Sequence, residues 1–408
     1  MRSLPLVAFL GLAACADAPA DRATPETAPV VDAAPLGEVE TPADSGAVAP
    51  RLTLDADGRP VLSWVAPTDA GHALRVARWT GAGWSEPTTA DEGTDWFVNW
   101  ADTPGVVPLA DGRLLAHYLP MHPEGDSPYA YDAAFRLGAG GGWSPPALFH
   151  DDGLAAEHGF VSAVPVAGGA GVVWLDGREA AGGHHGHGAG AMTLRYARLT
   201  ASGSLADEAV LDARVCDCCP TAMALTARGL IAAYRDRSEG EVRDVAVVRL
   251  VGGAWTEPVV PHADGWRIEG CPVNGPALAG AGEHVALAWF TAADDRPRVR
   301  FALSGDAGAT WGPALTLDDA APIGRVGVAL LASGDAAVAW LASADGEAAL
   351  VVQRVSASGE PGRRVEVARL DASRASGVPQ IVRLGVGALV AWTDPGAPVP
   401  VQTATVSL

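Results

Sequence analysis

The sequence predicts an all-β fold, a single β-propeller of four-stranded blades. Three observations carry this. An aromatic anchor recurs on a short apolar strand at Trp64, Tyr118, Trp174, Tyr234, Trp289, Trp340 and Trp392, with successive spacings of 54, 56, 60, 55, 51 and 52 residues. A Gly-Trp closing turn follows several anchors, as GAGWSEP (81–87), GGGWSPP (140–146), GGAWTEP (252–258) and GATWGPA (308–314). Gly-containing turns separate the strands within each unit. Four short strands repeated at this period mark a propeller blade. Seven anchors give seven repeat units; six blades, with the terminal units sharing one, is the alternative. The last unit lacks room for a fourth strand after VQTATVSL, so a segment within Pro35 to Pro42 is expected to close the ring and hide the edges.

The chain opens with MRSLPLVAFLGLAACADAP. Arg2 and the apolar run Leu4 to Leu12 read as a secretory signal, too short to span a bilayer. Leu12-Ala13-Ala14-Cys15 resembles the bacterial lipobox, which implies a signal peptide over residues 1–14 and lipidation of Cys15. By the same resemblance, Ala16 implies sorting to the outer membrane. Several acyl chains would anchor the protein stably. Residues 15–48 are then the lipidated cysteine and a disordered tether rich in Ala, Pro and acidic residues, with no aromatic side chain. The propeller is expected over residues 49–408.

The formal charge is −20, with 48 acidic against 28 basic residues, which excludes a basic face for nucleic acid or anionic lipid. Every basic residue is Arg, so lysine nucleophiles and Schiff bases are excluded too.

In the fifth unit, Ser304-Gly305-Asp306-Ala307-Gly308-Ala309-Thr310-Trp311 fits the Asp-box pattern S-x-D-x-G-x-T-W. This resembles the BNR/Asp-box repeat of the sialidase superfamily, in which Ser304, Asp306, Gly308, Thr310 and Trp311 are structural. An Asp-box turn between third and fourth strands defines a lower rim. The upper rim then receives 91–102, 117–132, 150–160, 175–192, 215–220, 234–244 and 262–275, which hold most of the histidines and every cysteine of the propeller. Long loops so equipped are the expected working face.

An active sialidase would need three arginines for a carboxylate, a Tyr–Glu nucleophile pair and an Asp acid/base. Arginine's fork suits the first role. Arg178, Arg235, Arg237, Arg243, Arg267, Arg296, Arg325 and Arg374 are available on the rim, as are Asp176, Asp236, Glu239, Glu241 and Glu269. The family's Arg-Ile-Pro motif is absent, and all five tyrosines lie before residue 235, whereas the family's catalytic Tyr comes late. No catalytic role can be carried over. The clusters WLDGRE (174–179) and YRDRSEGEVRD (234–244) make Asp176, Arg178, Arg235, Asp236 and Arg237 the catalytic candidates. With Arg267 and Asn274 they could ring a pocket for a glycan or acidic small molecule, using Trp96, Trp100 and Trp266 as stacking platforms. Buttressing Asp–Arg pairs are the plainer reading.

Cys216, Cys218, Cys219 and Cys271 begin or precede the inner strands of consecutive units. An even count in an oxidising compartment suggests two disulfides, Cys271 pairing with Cys218 or Cys219 and Cys216 with the other. The rival is a copper or zinc site of these thiols with His184, His185 and His187. Function is left among three readings: a glycan- or metal-binding envelope propeller, a glycoside hydrolase or lyase with a non-standard acid–base set, and a structural or partner-binding propeller.

Overall fold

The computed structural model describes residue 1, residues 36–180 and residues 190–408. Seven antiparallel four-stranded sheets form the blades of one propeller. In chain order, blade 1 is Val48–Leu54, Pro60–Pro67, His72–Arg78 and Thr88–Gly93, and blade 2 is Gly105–Pro108, Leu114–Tyr118, Ala134–Ala139 and Ala147–Leu148, with a small extra strand at Gly142–Trp143. Blade 3 is His158–Val166, Gly169–Asp176, Thr193–Thr200 and Leu205–Asp212. Blade 4 is Ala222–Thr226, Gly229–Arg235, Val245–Val251 and Ala254–Trp255. Blade 5 is Ala277–Ala281, His284–Thr291, Arg298–Ser304 and Leu315–Asp318, and blade 6 is Gly324–Leu330, Ala336–Ala344, Glu347–Val355 and Pro361–Leu370. Blade 7 combines Gln380–Leu384, Gly387–Thr393 and Val401–Val406 with Leu36–Val39 from the start of the described chain.

That last pairing closes the ring. Leu36 lies opposite Val406 and Val39 opposite Thr403, antiparallel, within the window 35–42. The strand Leu36–Val39 therefore belongs to the last blade, covering an edge that the C-terminal strands would otherwise leave open. With that strand in place the six-blade alternative falls.

The second strands are buried on both faces between neighbouring sheets, which is why they read as continuous apolar runs rather than alternating ones. All seven anchors are buried, from 0% exposure at Trp64 and Trp340 to 8% at Trp392. The cores lie between blades: Phe135 of blade 2 stacks on Phe149, which faces Trp174 of blade 3. Truncating such a Trp costs about 3–5 kcal/mol.

A carboxylate from one blade takes the polar hydrogen of the next blade's anchor. Asp91 accepts from Tyr118, Asp212 from the Tyr234 hydroxyl at 2.6 Å, Asp264 from Trp289 Nε1 at 2.6 Å, and Asp318 from Trp340 Nε1 at 2.7 Å. Asp212 and Asp318 end fourth strands, Asp264 follows one and Asp91 lies within one, so each bond latches adjacent sheets. Trp174 instead donates to its own blade's Asp176 at 2.8 Å.

The Asp box occupies the turn between the third and fourth strands of blade 5, as expected. Asp306 Oδ1 accepts from Thr310 N at 2.8 Å and Oδ2 from the Thr310 hydroxyl at 2.7 Å, while the Ser304 hydroxyl donates to Asp306 Oδ1 at 2.8 Å and accepts from Gly308 N at 2.9 Å. Gly308 has φ +78°, and a Cβ there would sit 2.4 Å from Ile231 Cδ1, so only glycine fits. The opposite rim carries the blade-to-blade connections and the long second-to-third-strand loops. There the inner strands open a central channel of about 780 Å³.

Candidate functional site

Three residues from separate upper-rim segments converge beside the channel, which Asp102 lines. Asp102 lies in the connection between blades 1 and 2, where the Asn99 side chain holds the turn through Ala101 N at 2.8 Å. Tyr131 lies in the long loop of blade 2 and stacks on Phe97, centroids 4.2 Å apart. Glu157 immediately precedes the inner strand of blade 3, where Tyr131 N donates to Ala156 O at 3.1 Å and His158 N to Tyr131 O at 3.0 Å. The Tyr131 hydroxyl lies 2.9 Å from Asp102 Oδ2 and 3.0 Å from Glu157 Oε1. Phe160 N donates to the other Asp102 oxygen at 2.7 Å, from a left-handed residue (φ +52°) at a bulge in the inner strand. A Cβ on Gly159 would fall 2.0 Å from Asp102 Oδ2, so glycine there is a condition of the site.

The electrostatics follow from burial. Asp102 and Tyr131 are essentially inaccessible, and Glu157 is half-buried at the mouth. Burial pushes the Asp102 carboxyl up to about 7, against the pull of Phe160 N–H, Tyr131 and Arg51. Burial likewise pushes Glu157 up to about 8, with Asp102, Asp217 and Cys271 adding to the rise and Tyr131 opposing it. Tyr131 is held well above its usual value by burial and by the two carboxylates. A phenol has one proton to donate, so two flanking carboxylates are both satisfied only if one carries a proton. The trio therefore retains an acidic proton near neutral pH, and the exposed end of it is Glu157.

One arginine acts on the buried Asp102, and two more lie against Trp100 in the same connection. Arg51 is held between Thr103 O and Val161 O at 3.4 and 3.3 Å, its pKa lowered by burial and partly restored by Asp102. Arg325 donates to Ser373 O and Gly377 O at 2.9 and 3.1 Å and lies 4.5 Å from the Trp100 ring centroid, with Arg374 at 5.9 Å. Burial and Arg374 lower Arg325 to about 10. Among the described residues no carboxylate lies within ion-pair distance of Arg325. Trp100 with Arg325 and Arg374 can accept a sugar ring face bearing an anionic group.

Asp176 and Arg178 belong to a separate buried network. Arg178 Nε pairs with Asp176 Oδ1 at 2.7 Å and Asp152 Oδ2 at 2.9 Å, and His158 Nε2 bonds Asp152 at 3.0 Å. His150 and His158 stack at 3.7 Å, with Asp132 3.5 Å from His150 Nε2. Burial drives His150 down to about 4, and Arg178 holds Asp176 near 2 despite burial. These are buttresses behind the mouth.

The other arginine candidates are struts as well. Arg235, 2% exposed, donates to Asn274 O at 2.9 and 2.7 Å and to Phe290 O at 2.8 Å, and lies against the Trp266 ring. Arg237 binds Glu241 at 2.9 Å and Asp217 at 3.2 Å. Asp236 receives Arg237 N at 2.6 Å, and burial raises it to about 6. Asn274 spans blades, accepting Arg325 N at 2.7 Å and donating to Ile323 O at 3.3 Å. Two stacking expectations need correcting: Trp96 is buried against Tyr118, and Trp266 is buried against Phe290. Both fill cores between strands and have no free ring face. Arg267 is exposed and meets only Glu269, at 3.9 Å. Of the three tryptophans, Trp100 alone is only half-buried.

The disulfide expectation is corrected too. Cys216 Sγ lies 3.1 Å from Cys219 Sγ and 3.9 Å from Cys218 Sγ, well beyond the ~2.05 Å of a disulfide. All four cysteines are free thiols. Arg243 donates to Cys216 Sγ at 3.3 Å. Cys15, His184, His185 and His187 lie outside the described residues.

Sorting loops to one rim located the right segments without revealing Asp102, Tyr131 and Glu157 as a set. Nothing in spacing announces that residues 29 and 26 positions apart share one hydroxyl. The one available signal was a Glu and a Tyr in aromatic-rich rim loops.

No family model and no curated protein matches the chain. Among solved structures it is similar to a PL25 ulvan lyase bound to -[GlcA(1-4)Rha3S]-, with a TM-score of 0.55 at 14% identity over 91% of this chain and 98% of that one. It also matches an α-L-arabinanase of Penicillium chrysogenum (TM-score 0.47, 11% identity, 93% and 98% covered) and the GH93 α-L-arabinofuranosidase of Fusarium graminearum (0.46, 12%, 91% and 96%). At these identities the likeness is one of fold alone.

Proposed function

We propose that this propeller acts on an acidic glycan at the upper mouth of its channel, with Glu157 as proton donor to the glycosidic oxygen. The observation that carries this reading is the Asp102–Tyr131–Glu157 chain, whose carboxyls are raised to about 7 and 8. A carboxylic acid kept neutral at working pH is what cleavage of a glycosidic bond asks of its acid. Tyr131 and Asp102, too buried to touch a sugar, position Glu157 and hold its proton. Arg325, Arg374 and Trp100 would receive the anionic residue. The phenol's raised pKa argues against Tyr131 as a tyrosinate base. The finer assignment to the sialidase superfamily rests on the Asp-box turn alone.

The test is depolymerisation by the full-length chain. Uronate-containing polysaccharides, including one with the glucuronate–sulfated rhamnose repeat named for the similar lyase, are compared with neutral ones, reading new reducing ends and unsaturated uronate absorbance. Cleavage of an acidic polymer that falls at least about 100-fold in Glu157→Gln supports the reading. Cleavage unaffected by that substitution, or none on any acidic polymer, overturns it. We further propose display at the outer membrane through lipidated Cys15. Palmitate labelling should be lost in Cys15→Ala, and labelling that persists would contradict the anchor.

A further inference from the structure

The four thiols remain without a role in that reading, and their arrangement has its own meaning. The lead-in to blade 4 supplies Cys216, Cys218 and Cys219, whose sulfurs all lie within 4.8 Å of one another. Cys216 and Cys219 are buried, and Cys218 is half-buried. The lead-in to blade 5 supplies the exposed Cys271, which hydrogen-bonds Cys218 but stands outside that group of three. The separations of 3.1 and 3.9 Å are too long for S–S bonds, and they bracket the ~3.8 Å between thiolates sharing a tetrahedral zinc with Zn–S of about 2.3 Å. Bare thiols packed this closely have only weak S–H donors with which to satisfy one another. Bound as thiolates, they are satisfied by the ion.

The surroundings suit a negatively charged thiolate centre. Arg243 Nη1 points at Cys216 Sγ from 3.3 Å, while its Nη2 is fixed by Glu241 at 2.8 Å. Glu241 also holds Arg237 at 2.9 Å, and Arg237 in turn reaches Asp217 of the C-D-C-C loop at 3.2 Å. Arg243 thus braces Cys216 directly and Arg237 braces the C-D-C-C loop through Asp217, the outer-shell arrangement that orients metal ligands. Thiolate donors select zinc or copper(I) over harder ions, and a closed four-ligand tetrahedron is the structural zinc arrangement.

We propose that Cys216, Cys218, Cys219 and Cys271 bind one zinc ion. Binding releases the four thiol protons to water, and the resulting centre of charge −2 is offset by Arg243 and Arg237. The ion ties the lead-ins of blades 4 and 5 together. The centre is structural, independent of whether the mouth cleaves glycans.

The experiment is metal analysis of the full-length chain purified from an oxidising periplasm. One zinc per chain is expected, with the four cysteines alkylated only after chelation, and a cobalt-exchanged sample should show the intense visible bands of a tetrahedral thiolate site. Cys218→Ser should lose at least about nine-tenths of the zinc, whereas the triple variant His184→Ala, His185→Ala, His187→Ala should keep it. Should Cys218→Ser fail to fold, Cys271→Ser, at the exposed ligand, gives the same reading, as does chelator-released zinc from the folded wild-type chain. A chain that carries no zinc, or copper in its place, overturns the proposal. So do disulfides among these cysteines, or zinc that leaves with the histidine loop.

Discussion

At the residue scale, burial does most of the work. Glu157 is raised to about 8 and Asp102 to about 7, so in the folded chain both keep protons at pH values where the unfolded chain has lost them. Over that window the native state binds more protons, and stability must fall as pH rises from about 4.5 towards 8. Glu241 and Asp176, held near 2, act oppositely: they stabilise above their unfolded values, and that contribution is lost as pH falls from about 4 to 2. Melting temperature should therefore be highest at mildly acidic pH, and Glu157→Gln should flatten the neutral-side decline; an unchanged slope would contradict the raised carboxyl. Arg235→Ala leaves carbonyls of Asn274 and Phe290 without their donor and should cost roughly 3–5 kcal/mol in denaturant unfolding, whereas exposed Arg267→Ala should stay within about 0.5 kcal/mol. In the sequence these two arginines look alike. Nothing local distinguishes a guanidinium that ends on three backbone carbonyls from one that ends in water.

At the element scale, the blade was legible because its signal is local and repeated. The aromatic anchors recur every 51–60 residues, and the Asp box is a single eight-residue turn whose side-chain bonds at Ser304, Asp306 and Thr310 are internal. The latching aspartates were not legible. Asp212 is 22 residues before Tyr234 and Asp318 is 22 before Trp340, and neither carries a motif of its own. Asp318 also receives Arg364 Nη2 at 3.1 Å, so Asp318→Ala orphans both Trp340 Nε1 and a guanidinium. A loss of about 2–4 kcal/mol is expected by denaturant unfolding; a change under about 0.5 kcal/mol would mean the latch is ornamental. The rim loops failed to disclose their chemistry for the same reason as the latches. Tyr131 meets Asp102 and Glu157 only after three segments fold back to one mouth.

At the scale of the whole molecule, closure and the channel mouth depend on each other. The Leu36–Val39 strand covers Val401–Val406, with Thr403 Oγ1 donating to Val39 O at 3.1 Å. Removing residues 36–39 should leave an open edge, lowering the melting temperature and producing concentration-dependent association by light scattering. A monomeric, equally stable product would show that the ring holds without its clasp. The ring in turn sets the mouth, since Asp102, Tyr131 and Glu157 come from the junctions of blades 1 to 3 while Arg325 and Arg374 come from blades 6 and 7. Only a closed propeller brings Arg325 of blade 6 against Trp100 of the connection between blades 1 and 2. The central claim is that Glu157 is the working acid there, and the pH–rate profile on an acidic polysaccharide tests it most directly. The account predicts activity that falls above an apparent pKa near 8 and is lost in Glu157→Gln. A profile without that alkaline limb, or one that survives the substitution unchanged, would contradict it.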